Sequence, residues 1–512
     1  MELSGKRALF SVKELDNIDQ FATTLIHKGW KVVATDKVYR ILRERRLPVK
    51  SVHEFVGVQE DFVFPPTMHP KMEAALTVED YPEKIDLVYD ITYGTSEGMD
   101  VGGNTLLAMA IKGNKIPVTS VSSMITVVNA IAEFDEVPAH LITNLQLKAA
   151  KEIAEYYCNI AEVLSLKKIK YLRAELHSKL LNGENPYQTA ELWNLNGTND
   201  PLALTQYDLI SPNTPCYTNI VDLDCLTETM SRIICAFRLN VNKEPYVTLA
   251  SKHGNVCGIG VDYESKSESI RKALWGNPLA IWGGEIMMNF KVTDPVATYL
   301  FFSEDRKEKL GTGKWMLDIV TAPAYDQQAL TILSQRKNTK IYVNQGLYQA
   351  NLRVAELTYR FTRGSVVMQT RPDYILDYSK LDWNLPMKDK DTIDDLIIAW
   401  VAAFTSFHGG NEIALAKDGQ LLGCAGGPST VEAAETVITR ALRSHGNIEG
   451  SVFAADAFFP FTDAAEILAN AKVNSGVVPA GGLRFNEVKK YFSEHKISVG
   501  FIPERFRGFI RH

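Results

Sequence analysis

The feature that most constrains this chain is the alternation of short apolar runs with helix-patterned segments over residues 6–145. Short runs rich in β-branched residues, each followed by a segment of helical spacing, have one economical packing: a parallel sheet covered by its own connecting helices. Strands are expected over Arg7–Val12, Lys31–Thr35, Ile85–Ile91 and Ile116–Val121. Helices are expected over Asn17–Lys28, which stops at Gly29, and over Val38–Arg46, which stops before Leu47-Pro48. Asp100-Val101-Gly102-Gly103-Asn104 then opens a helix through Lys112, and a further helix begins at Ser122 or Ser123. Helix N-termini that follow strands are natural seats for anions, so this region could hold a phosphate.

Residues 137–170 carry apolar positions at helical spacing (Leu141, Leu145, Ala149, Ile153, Tyr157) and read as a long helical connector. Beyond it two further α/β stretches are expected, which divides the chain into 1–145, a connector over 146–170, and units over 171–375 and 376–512. In the last of these, Asp391–Phe407 reads as an amphipathic helix, and Ile413–Lys417 and Gln420–Cys424 as strands about a turn at Asp418-Gly419. Ser429-x-x-Glu432 is a capping box for a helix that ends at Gly446. The two stretches suggest a pseudo-repeat, although no repeat is legible residue by residue.

With 512 residues, 46% hydrophobic and 23% charged, the chain has enough apolar content for several well-packed cores. A net charge of −6 gives no reason to expect nucleic acid or an anionic membrane as partner. Six scattered cysteines without Cys-x-x-Cys pairs argue against a zinc site and against a disulfide framework. The first residues lack a signal-peptide pattern and no apolar run reaches spanning length. The expected location is the cytoplasm, with no metal.

The stretch with most chemistry is Lys252-His253-Gly254-Asn255-Val256-Cys257-Gly258, which follows the buried strand Tyr246–Ala250. A Lys-His pair at a strand end, before a tight turn with Gly254 and Gly258, brings two titratable groups together. A cation beside an imidazole disfavours the imidazolium, so His253 is expected to accept a proton near neutral pH.

That stretch resembles the Lys-His-x-Asn-Pro-Cys-Gly motif of the AICAR transformylase/IMP cyclohydrolase family. The likeness extends over nearly the whole chain: Ala8–Val12 resembles the family's first strand, and Asp100–Leu107 its Gly-Gly segment. Gly183-Glu184-Asn185-Pro186 resembles its Asn-Pro-His-Gln loop, and Asp456-Ala457-Phe458-Phe459-Pro460-Phe461-x-Asp463 is its most recognisable signature. The ending Arg507-Gly508-Phe509-Ile510-Arg511-His512 is similar to the family's C-terminus with one residue extra.

The resemblance implies a methylglyoxal-synthase-like α/β domain followed by two tandem cytidine-deaminase-like α/β units, assembled as a homodimer. It implies 10-formyltetrahydrofolate as co-substrate and a small-molecule amine as formyl acceptor. His253 would be the general base, Lys252 would set its protonation state, and Asn411 would donate to the developing oxyanion. Phe458, Asp463, Arg507 and Phe509 would meet the folate. Asn182, Gly183, Asn185, Asn219, Asp222, Gly283 and Gly284 would face the acceptor.

The departures from the family matter as much. Lys13–Asn17 replaces a Ser-Asp-Lys-Thr-Gly turn, and Ala34–Val38 replaces a glycine-rich phosphate loop. Phe64 and Pro66 stand where the family has Arg and Lys, so ring-closing activity is expected to be lost. Leu181 and Val431 stand where two arginines would clamp a nucleotide phosphate, so the acceptor is expected to be an amine other than AICAR. Two alternatives stay open: a housekeeping bifunctional purine enzyme, and a non-catalytic folate- or nucleotide-binding paralogue.

Overall fold

The computed structural model describes residues 5–61, 64–195, 199–352, 357–387, 392–508 and 510. The chain separates into two compact units, Met1–Leu172 and Arg173–His512.

The first unit is built on a five-stranded sheet in the order Val49–Ser51, Lys31–Ala34, Arg7–Ser11, Leu87–Asp90, Ile116–Val118. All four pairings are parallel, as the alternating pattern requires. The strand order reverses between Arg7–Ser11 and Leu87–Asp90, and in open α/β sheets ligands bind outside the carboxyl ends of strands at such a point. The helix Ala139–Leu164 belongs to this unit, with Leu145, Ala149 and Tyr156 buried. Leu145 joins the core that holds Phe10, Phe21 and Tyr89.

The second unit carries a twelve-stranded sheet, and its order reveals a duplication. From one edge it runs Asp382–Trp383, Ser498–Ile502, Ser475–Pro479, Val452–Ala455, Ile413–Lys417, Gln420–Ala425. It continues with Asn255–Asp262, Tyr246–Lys252, Gly284–Met288, Leu317–Ala322, Lys340–Val343 and Asp208–Leu209. Each half therefore has a short antiparallel edge strand, three strands parallel to one another, and an antiparallel hairpin at the centre. The two hairpins meet through Gly260 and Gln420.

The helices Tyr217–Asn240 and Thr392–Thr405 precede the two hairpins in sequence and share one core with them. Here the expected amphipathic helix needs correcting. Residues 395–405 are buried without interruption, because the neighbouring helix covers the face turned away from the sheet. Asp391, its expected start, lies outside the described residues. Trp400 stacks edge-on to Tyr374 and lies against Phe404. Arg232, fully buried on the partner helix, is neutralised by Glu228 at 2.7 Å and bonded to the Tyr374 carbonyl.

Gly258 departs from expectation as well. It lies inside the strand Asn255–Asp262, next to a bulge, rather than in the turn. A Cβ there would fall 2.0 Å from the Ala273 carbonyl, so glycine is what lets the helix Lys266–Gly276 press against the sheet. The capping box is as expected: the Ser429 hydroxyl accepts from Glu432 N, and Gly446 ends the helix Thr430–His445 with φ 74°. No helix among the described residues is long and apolar enough to cross a membrane.

Candidate functional site

The Lys-His stretch forms the tip of the hairpin between Tyr246–Lys252 and Asn255–Asp262. Its two turn residues, His253 and Gly254, are both left-handed, with φ 54° and 72°. Glycine adopts that conformation freely, whereas a histidine there costs roughly 1 kcal/mol and needs outside support. Asp222 supplies it: its carboxylate accepts from His253 N at 3.1 Å and from Gly254 N at 2.6 Å. Asp222 sits inside the helix Tyr217–Asn240.

Beneath the turn Asp222 meets a second buried carboxylate, Glu285, which heads the strand Gly284–Met288. Asn219 donates to Glu285 Oε1 at 2.9 Å. Glu285 Oε2 meets no other N–H or O–H, and burial together with the Asp222 charge pushes this acid up to about 10. Glu285 is thus protonated at neutral pH and donates to Asp222, whose own value burial raises despite two backbone donors. Burial also pushes the Cys257 thiol up, which leaves it inert as a nucleophile.

Above the turn opens a cleft of about 340 Å³, lined by Lys252, His253, Asn255, His408, Cys424 and Arg440 among others. His253 is exposed to it, and Lys252 Nζ reaches the Trp282 carbonyl beside Gly283. Asn255 fastens the far wall: its side chain accepts from Phe407 N at 2.6 Å and donates to the His253 carbonyl at 3.1 Å. On that wall His408 Nδ1 lies 2.7 Å from Glu412 Oε2, and His408 N donates to the other oxygen. The Cys424 thiol points at the same carboxylate at 3.9 Å. Asp456, nearby and 3% exposed, is pushed up to about 8 by burial and by the Glu412 charge.

The other half of the sheet repeats the turn without its histidine. Lys417-Asp418-Gly419-Gln420 has φ 54° and 73° at its centre, and Asp395 accepts from Asp418 N at 2.9 Å and Gly419 N at 2.7 Å. Lys-His-Gly-Asn and Lys-Asp-Gly-Gln are thus equivalent turns, each held by a carboxylate from the preceding long helix. That correspondence is the signal by which the repeat could be read in the sequence.

The remaining candidates fall into separate groups. Asn411 has φ 48°, and its amide donates to the Gly427 carbonyl at 3.1 Å. Phe458 lies over Gly481 and Gly482, where any Cβ would come within 3.1 Å and 2.9 Å of its ring. The Arg507 guanidinium stacks on the same ring at 5.3 Å. Asp463 is exposed at the first turn of Asp463–Asn470, and Phe509 lies outside the described residues. Asn182, Gly183 and Asn185 form a self-closed loop, with Gly183 N bonded to the Gln188 carbonyl and Asn185 to Gln188 Oε1. Leu181 projects from it, 69% exposed. Gly283 has φ 70°, and a Cβ on Gly284 would fall 2.7 Å from the Ser251 carbonyl. Sequence reasoning missed Glu285, His408, Glu412 and Cys424. An isolated carboxylate heading an apolar strand, and a His-x-x-x-Glu pair split by two glycines, were the available signals.

In the first unit the reversal point is occupied by the protein's own acids. Asp100 caps the helix Val101–Lys112 by accepting from Gly103 N at 2.8 Å, and also accepts from Tyr93 N at 3.2 Å. Asp90 ends its strand so close that a Cβ on Gly103 would fall 2.5 Å from its Oδ1. Burial pushes Asp90 up to about 7. The positive end of this helix is therefore already answered by carboxylates.

The family model of the AICARFT/IMPCHase bienzyme matches residues 114–440. The bifunctional purine biosynthesis protein PurH of Persephonella marina is 24% identical over 541 residues, covering 98% of this chain and 99% of that protein. That of Aquifex aeolicus is 27% identical over 544 residues, covering 97% and 98%. A solved structure, the crystal structure of ForH, is 25% identical, covers 31% of this chain and 100% of its own, and has a TM-score of 0.28. A match over more than half of the chain, with relatives aligned from end to end, makes this chain a member of the AICARFT/IMPCHase bienzyme family.

Proposed function

We propose that the chain is a formyltransferase that moves a formyl group from 10-formyltetrahydrofolate, the donor of its family's transformylases, to an amine acceptor other than AICAR. The observation that carries this reading is the pinned turn: Asp222 holds a strained histidine at the mouth of a cleft beside a lysine. An attacking amine must lose a proton, and His253 is the exposed imidazole positioned to take it. Lys252 provides positive charge for the oxyanion that develops on the formyl oxygen. Phe458, with Arg507 stacked on it, offers a flat surface for a pterin, and Asp463 could accept from pterin N–H groups. Asn411 would donate the second N–H of its side-chain amide to that oxyanion, the first being bonded to the Gly427 carbonyl. Asn182, Gly183, Asn185, Asn219, Asp222, Gly283 and Gly284 act by shaping the acceptor side rather than by clamping a phosphate. We read the fold accordingly, as a methylglyoxal-synthase-like domain and two deaminase-like units.

Acceptor specificity rests on what the loop offers. Leu181 is apolar and exposed, and Val431 lies in the first turn of Thr430–His445. Charge-assisted bonds contribute about 1.5–3 kcal/mol each, so two absent arginines should weaken a phosphorylated acceptor by about 10²–10⁴-fold. In the first unit, Phe64 and Pro66 stand in place of two cations of the family, which supports loss of ring closure. The full-length likeness to proteins named PurH favours a second reading, the ordinary bifunctional enzyme with a rebuilt phosphate site. One assay decides between them. Amines offered with 10-formyltetrahydrofolate should yield an N-formyl product of the expected mass, AICAR should be a poor acceptor, and formyl-AICAR should not be closed to IMP. Efficient formylation of AICAR followed by ring closure would establish the second reading instead.

The assembly we propose is a homodimer. The hairpins Ala174–Lys179/Glu191–Leu195 and Leu357–Thr362/Ser365–Thr370 form two-stranded sheets of their own. They expose Trp193, Phe361 (75%) and Val367 (58%). Isolated hairpins are marginal in water, and exposed apolar patches mark interaction surfaces. Sedimentation at micromolar concentration should give a dimer; a monomer there would refute this assembly.

A further inference from the structure

We infer that His408, oriented by Glu412, is the general acid that protonates the folate nitrogen as it leaves; this inference rests on the formyltransferase reading. Formyl transfer moves two protons, and the base assigned above accounts for one. The acceptor nitrogen forms its bond to the formyl carbon and gives its proton to His253. When the tetrahedral adduct collapses, the bond from carbon to the folate nitrogen breaks and its electron pair returns to that nitrogen. A proton from His408 completes tetrahydrofolate. Solvent then takes the proton held on His253 and restores the one spent by His408, so no further reactant is needed.

The site is built for an oriented imidazole. Gly409, Gly410 and Asn411 have φ 139°, 90° and 48°, a left-handed run that folds the chain back on itself. Glu412 thereby meets both the backbone N–H and the Nδ1 of His408, the latter at 2.7 Å. Glu412 is 1% exposed, and a Cβ on Gly426 would fall 2.1 Å from its Oε1, so a glycine leaves the carboxylate its seat. The acting form is the imidazolium: Nδ1–H donates to the carboxylate, Nε2–H carries the proton that is transferred, and the ring lines the same cleft as Lys252 and His253. The titratable and charged neighbours of the pair are Cys424, Asp456 and Arg440, with Lys252 and His253 in the cleft. The ligating atoms of His408, Glu412 and Cys424 lie within 4.8 Å of one another, a spacing a transition metal could also use. The hydrogen bonds from His408 and Cys424 to Glu412 favour the dyad.

The test uses full-length protein with 10-formyltetrahydrofolate and the best amine from the acceptor screen. His408→Ala should lower kcat about 10²–10⁴-fold with the folate KM within about threefold, and added imidazole should restore part of the rate. His408→Asn serves if the alanine variant does not fold. Glu412→Gln should lower kcat and move the basic limb of its pH profile, and Glu412→Asp should recover part of both. An active wild type with unchanged kcat and pH profile in these variants would overturn the inference while leaving the formyltransferase reading intact. One equivalent of transition metal per chain, lost in Cys424→Ser, would overturn it too. A wild type that formylates no amine would instead overturn the reading on which it rests.

Discussion

Replacing His253 with alanine is expected to lower formyl transfer about 10²–10⁴-fold while the folate KM stays within about threefold. The split follows from position. His253 stands at the hairpin tip facing the cleft, whereas Phe458 and Arg507, proposed for the folate, pack on each other. The backbone contributes to the choice of control. At φ 54° alanine and histidine bear a similar left-handed cost, so the alanine variant adds little strain, and Asp222 still accepts both turn N–H groups. His253→Asn, a residue that tolerates this region well, provides a folded control without a base of suitable strength. Unaltered turnover in both variants would remove His253 from the chemistry.

The second large effect is on stability. Glu285 is held at about 10 in the folded chain by burial and by Asp222, whereas an unfolded glutamate titrates near 4.3. Between those values the unfolded chain has released the proton that the folded chain keeps. Rising pH therefore favours unfolding by about 1.4 kcal/mol per pH unit from this pair. Glutamine cannot ionise, yet its amide still donates to Asp222. Glu285→Gln should hence flatten the fall in stability between roughly pH 6 and 9, and should melt above the wild type at pH 8. The proton belongs to the pair, so Asp222→Asn should flatten the same limb while loosening the turn it holds. Parallel stability curves for wild type and Glu285→Gln would show that the two carboxylates do not share a proton.

Much of the scaffold could be read in advance because it is written locally. The parallel strands of the first unit follow from β-branched runs, and the Ser429 cap from a hydroxyl three residues before a glutamate. The Lys-His turn announced itself because two ionisable groups beside glycine are conspicuous. What escaped depends on partners distant in sequence. Thr392–Thr405 looks one-sided until the helix Tyr217–Asn240 covers its other face. Glu285 looks like an ordinary strand end until Asn219 and Asp222 arrive from a helix more than sixty residues earlier. His408 and Glu412 are neighbours in sequence, but their contact needs three left-handed residues, and only the first two are glycines. Asn411, the third, has a backbone role at φ 48° that its side chain does not announce.

The paired turns carry a consequence for how such a chain can change. The device that positions the His253 imidazole, a helix carboxylate gripping two amides, exists here twice, and only one copy bears an imidazole. Positioning and reactivity are therefore separable inheritances. Substitution at the tip of either turn leaves the grip intact, since Asp222 and Asp395 hold backbone and not side chain. A lineage can then explore new acceptors, or abandon a reaction, through single exchanges at two solvent-facing positions without endangering the architecture. The second turn, with Asp418 at its tip, is a vacant mount on a finished chassis.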